Sequence, residues 1–342
     1  MYLWFLITFV FFDLKLYYLI MSLKILITGA AGFIGSNLCE YFVSKGHDVL
    51  GLDNLATGSL DNINNLLLRP NFSFLKGDIR EINICHKAVF DRDYVLHQAA
   101  LGSVPRSIND PITSNEVNVG GFLNMLVACK EAGVKKMVYA ASSSTYGDSK
   151  AIPKVEEHIG KPLSPYAITK YVNELYADVF YKTYGLDTIG LRYFNVFGRK
   201  QDPNGAYAAV IPLFTKQLMN KQSPTINGDG SYSRDFTYID NVIQANEKAM
   251  LTNHPLAVNS VFNVAYGERT NLKTLVELLK KSLSRYDKSI LDVDVIYGSV
   301  REGDVPHSLA TIEKAKQILN YQPEFNLKDG LDEAVQWYWS HL

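Results

Sequence analysis

Tyr166 and Lys170 stand four residues apart, a spacing that places a phenol and an ammonium on one face of a helix. A phenol has an ordinary pKa of about 10 and is mostly protonated at neutrality. A neighbouring cation stabilises the phenolate, and a serine hydroxyl within reach can relay the proton. Such a trio suits removal of a proton from an alcohol while a hydride leaves the same carbon. The spacing alone decides nothing, because Tyr41/Lys45 and Tyr146/Lys150 share it in a chain of 342 residues with 21 tyrosines. Tyr41 sits where helix packing explains it, and Tyr146 precedes Gly147 in a loop. Tyr166 instead opens a helix directly after Ser164-Pro165, downstream of Ser142, Ser143 and Ser144 at the end of an apolar run. The expected catalytic group is therefore Tyr166, Lys170 and Ser142, with Ser143 and Ser144 beside them.

A departing hydride needs an acceptor, and residues 28–35 (TGAAGFIG) offer a place for one. Gly29, Gly32 and Gly35 lie between a buried strand and a helix carrying Ile34, Leu38, Tyr41 and Phe42. Glycines there let the backbone turn tightly and approach a pyrophosphate, and the helix N-terminus beyond presents free N–H groups. Phe33 and Ile34 belong to the same turn. Asp53, at the end of the second strand, can accept from both adenosine ribose hydroxyls and would repel a 2′-phosphate. No arginine follows at Asn54 or Leu55, so the expected cofactor is NAD rather than NADP. Asp78 and Ile79 are placed to flank the adenine. Gln98, Ala99 and Ala100 fall where the cofactor crosses the sheet edge.

The elements that must carry these groups alternate. Lys24–Thr28, Asp48–Leu52, Asn71–Lys76, Tyr94–Gln98, Lys136–Ala140 and Thr188–Arg192 read as six short buried strands. Helices are expected between them, including Asn115–Ala132 and one from Tyr166 to Gly185. This predicts an α/β chain with a doubly wound parallel Rossmann sheet. After Asn195, turn residues from Pro203 to Gly230 interrupt the pattern, and helices resume near Asp240–Leu251, Thr274–Leu279 and Ile312–Leu319. The expected division is an NAD-binding domain at 21–194 and a smaller α/β, mainly substrate-binding lobe at 195–342, with elements returning to the sheet.

A formal net charge of −1 leaves no footprint for nucleic acid. Cys39, Cys85 and Cys129 are odd in number and widely spaced, which suits reduced thiols in the cytoplasm. The seven scattered histidines predict no metal site. Residues 1–20 are apolar and aromatic but interrupted by Asp13 and Lys15, and the run before Asp13 is too short to span a bilayer. They read as an accessory extension or a start placed too early, with a membrane-associating anchor as the alternative.

Four longer stretches carry a family resemblance: LHQAALGSVPRSI from Leu96, AASSSTYGD from Ala140, SPYAITKYVNELYA from Ser164, and GLRYFNVFGRKQDPNGAYAAVIP from Gly190. Over residues 23–340 the chain resembles the extended short-chain dehydrogenase/reductases. Within them it is most similar to bacterial UDP-N-acetylglucosamine/UDP-N-acetylgalactosamine 4-epimerases of O-antigen and capsule synthesis. The resemblance implies reversible inversion at C4 through a transient 4-keto sugar, with NAD regenerated each turnover. Asn54, Gly58, Asn118, Tyr193 and Val196, with Tyr166 and Lys170 themselves, complete the expected cofactor contacts. On the substrate side Asn195, Arg234 and Arg301 would hold the diphosphate region and Asp304 the uridine ribose. Gly102, Ala209 with Val210, and Ser308 would leave room for a 2-N-acetyl group, with Ser103 and Ser142 as polar contacts. Related dehydratases and decarboxylases carry carboxylates where this chain has Ser143 and Ser144, which disfavours elimination. The same reaction on an N-acetylhexosaminuronic acid or on UDP-glucose/galactose is the nearest alternative; a net NAD-dependent dehydrogenase is more distant. A homodimer through helices near Asn115–Ala132 and Tyr166–Tyr184 is also implied.

Overall fold

Three successive residues explain the layering. Ile25 and Ile27 of the first strand face one apolar core and Leu26, between them, faces a second. A strand buried on both sides must be apolar on both, which is why these runs do not alternate with polar residues. The computed structural model describes residues 22–204, 208–299 and 306–342. The expectations for residues 1–20, Arg301 and Asp304 lie outside the described residues.

The elements used below are β1 (Lys24–Thr28), α1 (Phe33–Ser44), β2 (Asp48–Asp53), β3 (Phe72–Lys76), α2 (Ile82–Val89) and β4 (Tyr94–His97). They continue as α3 (Phe122–Ala132), β5 (Lys136–Ser142), α4 (Pro165–Tyr184), β6 (Thr188–Tyr193), α5 (Ile239–Leu251), β7 (Ser260–Val264) and α6 (Leu327–His341). One seven-stranded sheet runs in the order β7-β6-β5-β4-β1-β2-β3, and every pairing is parallel. Ile25 pairs with both Val49 of β2 and Tyr94 of β4, so the winding reverses at β1. Ligands of open α/β sheets bind at such a switch point, beyond the carboxyl ends of the strands. Helices α1 and α5 cover one face, and α2, α3 and α4 cover the other.

The second half of the chain supplies what the six-strand reading lacked. β7 adds to the sheet edge with Ser260 opposite Ile189 and Val264 opposite Tyr193. Residue pairs such as 225–227 with 296–298 and 233–234 with 270–271 form small ribbons outside the main sheet. The terminal helix α6, also absent from the six-strand reading, docks through the Tyr338 hydroxyl, which donates to the carbonyls of Gly198 (3.1 Å) and Gln201 (3.0 Å). The helix expected over Asn115–Ala132 is present but is regular α-helix only from Phe122 onward. A π-helical segment, Glu116–Gly121, precedes α3, and a Cβ at Gly121 would fall 2.5 Å from the Ile79 side chain. All three cysteines are free and buried. No described helix is long and apolar enough to cross a membrane.

Candidate active site

The glycine turn leaves β1 with Gly29 at φ +68°, where its added Cβ would fall 2.9 Å from the Ala99 amide nitrogen. Gly35 is more constrained still: a Cβ there would lie 2.0 Å from the Gly29 carbonyl oxygen. The turn and the first turn of α1, at Gly35, pack backbone on backbone, which only glycine allows. Gly32 caps α1 without a side-chain acceptor, so the first N–H groups of the helix remain for a ligand. Asp53 braces the turn by accepting from the amides of Ala31 (3.0 Å) and Leu55 (2.7 Å). Gly58 presses on the Ala31–Gly32 backbone from outside.

A cleft of about 470 Å³ opens along this edge, and Gly29, Gly32, Phe33, Ile34, Gly35, Asp53, Gln98, Ala99, Ala100 and Val196 all line it. Asn54, Asp78 and Ile79 line its continuation over β2 and β3, together with Thr57, Arg80 and Val117. Asn54 donates to Asp78 (2.9 Å), and Arg80 grips the same carboxylate, holding it down to a pKa of about 2. Five expected cofactor contacts, Gly58, Tyr166, Lys170, Asn118 and Tyr193, do not line either cavity. Asn118 is buried, accepts from the Leu101 amide (2.7 Å) and donates to the Leu101 carbonyl and Thr169 Oγ1. The buried Tyr193 bonds Gln98 (3.2 Å) and Asn246 (2.9 Å) and so steadies Gln98 from behind. Asn118 and Tyr193 act here as supports.

The reactive trio comes from two elements. β5 ends in Ser142, whose Oγ accepts from the Ser144 amide (3.1 Å) and hydroxyl (2.9 Å) and acts on the Tyr166 phenol to oppose its upward shift. α4 begins at Pro165, capped by Ser164 Oγ, which accepts from the Ala167 amide (3.1 Å). Lys170 is buried, and its Nζ donates to the Ala140 carbonyl (2.8 Å) and lies 5.9 Å from the Tyr166 ring centroid. Burial lowers the lysine to about 8, against the opposing charge of Glu174 one turn away. Burial likewise raises the phenol, opposed by the Ser142 hydroxyl. The expected lowering of the phenol is therefore not a property of these side chains alone. The other two Tyr/Lys spacings have structural uses. Tyr41 donates to Glu247 (2.8 Å) with Lys45 over its ring, and the buried Tyr146 donates to Asn263 (2.6 Å) with Arg192 over its ring.

A second cleft of about 470 Å³ brings Ser142, Ser143, Ser144, Asn195, Arg234 and Ser308 together. Sequence reasoning missed its apolar wall, Val104, Pro105 and Ile108, and also Lys154 and Leu163. Asn195 holds a positive φ of 33° and donates to the Asp235 carbonyl (3.1 Å), a strained backbone of the kind retained at functional sites. Gly102 and Ala209 line the cofactor side instead. Ala209 caps the helix Val210–Met219, which Val210 opens. Ser103 Oγ caps the short helix Val104–Asn109 by accepting from the Arg106 amide (3.2 Å). Among the described residues lining the second cleft none is Asp or Glu.

Residues 25–265 match the NAD dependent epimerase/dehydratase family. The chain belongs to that family. The structure of a UDP-N-acetylglucosamine 4-epimerase from Methanobrevibacter ruminantium, in complex with UDP-N-acetylmuramic acid, is 38% identical with a TM-score of 0.87. The similarity covers 94% of this chain and 100% of that one. A UDP-glucose 4-epimerase from Thermotoga maritima, with UDP-glucose, is 35% identical with a TM-score of 0.85, covering 92% and 98%. A UDP-glucuronic acid 4-epimerase from Bacillus cereus, with UDP-glucuronic acid and NAD, is 30% identical with a TM-score of 0.85, covering 94% and 100%. This family member is an NAD-dependent isomerase of the extended short-chain dehydrogenase/reductase type. The glycine turn fits the cofactor, since Gly32 caps α1 with no side-chain acceptor and leaves the first N–H groups of the helix for a pyrophosphate.

Proposed function

We propose that the protein interconverts UDP-N-acetylglucosamine and UDP-N-acetylgalactosamine by inversion at C4. Epimerisation of a UDP-sugar at C4 is the coarser function its relatives support. The observation that carries isomerisation over elimination is the second cleft, whose described lining holds serines, two asparagines and cations but no carboxylate. Bound NAD supplies the hydride acceptor and donor. Tyr166 takes the proton of the 4-hydroxyl, Ser142 holds that hydroxyl, and Lys170 orients the ring and carries positive charge toward the phenol. Arg234 and Asn195 hold the diphosphate side, with Arg301 and Asp304 completing the substrate contacts expected from sequence.

For the N-acetyl group, the support is open space. Ser308 presents a small side chain to the sugar cleft; Gly102, where an added Cβ meets no atom within 4 Å, lies on the cofactor side and does not contribute to that space. Product analysis by NMR across a panel of UDP-sugars tests the reading: UDP-GlcNAc is turned over fastest, and preference for UDP-glucose or a uronic acid would replace it. Ser308→Tyr removes turnover of N-acetylated sugars and spares UDP-glucose; equal loss on both defeats the size gate.

The reading includes a homodimer. Ile168, Leu175 and Val179 of α4 are about half exposed, and Ile112 lies 71% exposed on the preceding short helix. An apolar helix face of this kind suits a partner helix. Sedimentation shows a dimer that Leu175→Arg splits into monomers; a wild-type monomer at micromolar concentration rejects this part of the reading.

A further inference from the structure

We propose that Ser107 is a positioning residue for Tyr166, coupling the wall of the sugar cleft to the catalytic helix. The first N–H groups of α4 have no acceptor within the helix. Pro165 has none, the Ala167 amide goes to Ser164 Oγ, and the Ile168 amide goes to the Ser164 carbonyl (3.0 Å). The Tyr166 amide alone is satisfied from elsewhere: it donates to Ser107 Oγ at 3.0 Å, across 59 residues of sequence. Ser107 is fully buried, and its hydroxyl proton goes to the Val104 carbonyl (2.8 Å), which aims the oxygen lone pairs at Tyr166.

The other end of the same residue is held too. The Tyr166 carbonyl accepts from Thr169 Oγ1 (2.8 Å), which in turn accepts from Asn118, the residue that fixes Leu101. Ser107 thus holds the amide of the catalytic tyrosine directly, and Leu101 is linked to its carbonyl through Asn118 and Thr169. Helix Val104–Asn109 presents Val104, Pro105 and Ile108 to the sugar cleft. A sugar packed on that wall bears on the amide of the base through one serine. Displacements of about 1 Å at a reacting group cost on the order of 100-fold in rate.

Ser107→Ala removes the acceptor, and Ser107→Cys keeps the volume with a poor acceptor. Both are expected to lower kcat about 10–100-fold with KM for the UDP-sugar unchanged. Bound NAD and the thermal midpoint stay near wild type, and the isotope effect with substrate deuterated at C4 rises. Ser107→Thr retains an acceptor oxygen and recovers most of the rate. Wild-type kcat in the alanine variant, or a fall matched by lost NAD and lost folded protein, overturns the proposal. So does a threonine variant as slow as the alanine one. Because the proposal rests on Tyr166 as the base, hydrogen exchange of the Tyr166 amide provides a readout independent of the substrate. Exchange accelerates in Ser107→Ala whichever sugar is turned over, and unchanged exchange overturns the proposal even if the UDP-sugar reading stands.

Discussion

Tyr166→Phe lowers kcat by about 10²–10⁴-fold while the protein stays folded and keeps its NAD. The substitution deletes one oxygen and leaves the ring, and the amide bond to Ser107 is a backbone contact that survives. What disappears is the phenol oxygen beside Ser142, the group placed to take the hydroxyl proton. Burial raises this phenol, and Lys170 is engaged with the Ala140 carbonyl, 5.9 Å from the ring centroid. The phenolate therefore gains its main stabilisation when an oxidised, positively charged nicotinamide shares the cleft, which ties proton removal to the cofactor state that can accept hydride. Since the base works deprotonated, wild-type kcat rises with pH on the acid side, and the phenylalanine variant loses that limb. Steady-state rates with chromatographic measurement of bound NAD check this. A variant retaining more than a tenth of kcat removes Tyr166 from the mechanism.

The largest expected loss of stability is at Arg192. Its guanidinium meets Glu174 through two parallel bonds, Nε to Oε1 at 2.9 Å and Nη2 to Oε2 at 2.7 Å, with both side chains nearly inaccessible to solvent. A third bond reaches the Glu156 carbonyl (3.0 Å), and the plane of the guanidinium lies 4.8 Å from the Tyr146 ring centroid. Arg192→Met leaves a buried, uncompensated carboxylate and is expected to cost about 3–5 kcal/mol in urea denaturation. The paired Arg192→Met/Glu174→Met variant, lacking both charges, recovers most of that loss. A single variant within 1 kcal/mol of wild type contradicts the assignment. Glu174 is one helical turn from Lys170 and its charge opposes the burial that lowers the lysine. Activity therefore stays reduced in the double variant even where stability returns.

The parts of this protein that were legible before its structure are those written locally. Strands β1 to β6 are short apolar runs, and parallel burial leaves that mark on composition whatever surrounds them. The glycine turn and the Ser-Pro start of α4 are likewise signals of single segments. β7 escaped because a polar residue, Asn263, interrupts its short apolar run and is fully buried. That asparagine accepts from the Tyr146 hydroxyl and donates to the carbonyls of Lys154 and Thr311, partners remote in sequence. The π-helical segment over 116–121 answers to packing against Ile79, another distant residue. Ser107 reads as an ordinary polar helix residue until Tyr166 is brought against it. Asn118 and Tyr193 were expected at the cofactor and instead hold the residues that face it, a distinction that only side-chain partners reveal.

The late arrival of β7 bears on how the chain is made. Everything from the glycine turn to β6 has been synthesised by Tyr193, yet the neighbour of β6 is not supplied until residues 260–264. During that interval a nascent chain exposes the full hydrogen-bonding edge of a strand whose Ile189 and Leu191 end up wholly buried. Naked apolar edges of this kind recruit other chains. The ribosome-bound protein thus passes through a stage in which its catalytic residues have been made but its sheet is adhesive, and the rate of elongation across residues 194–264 sets how long that hazard lasts.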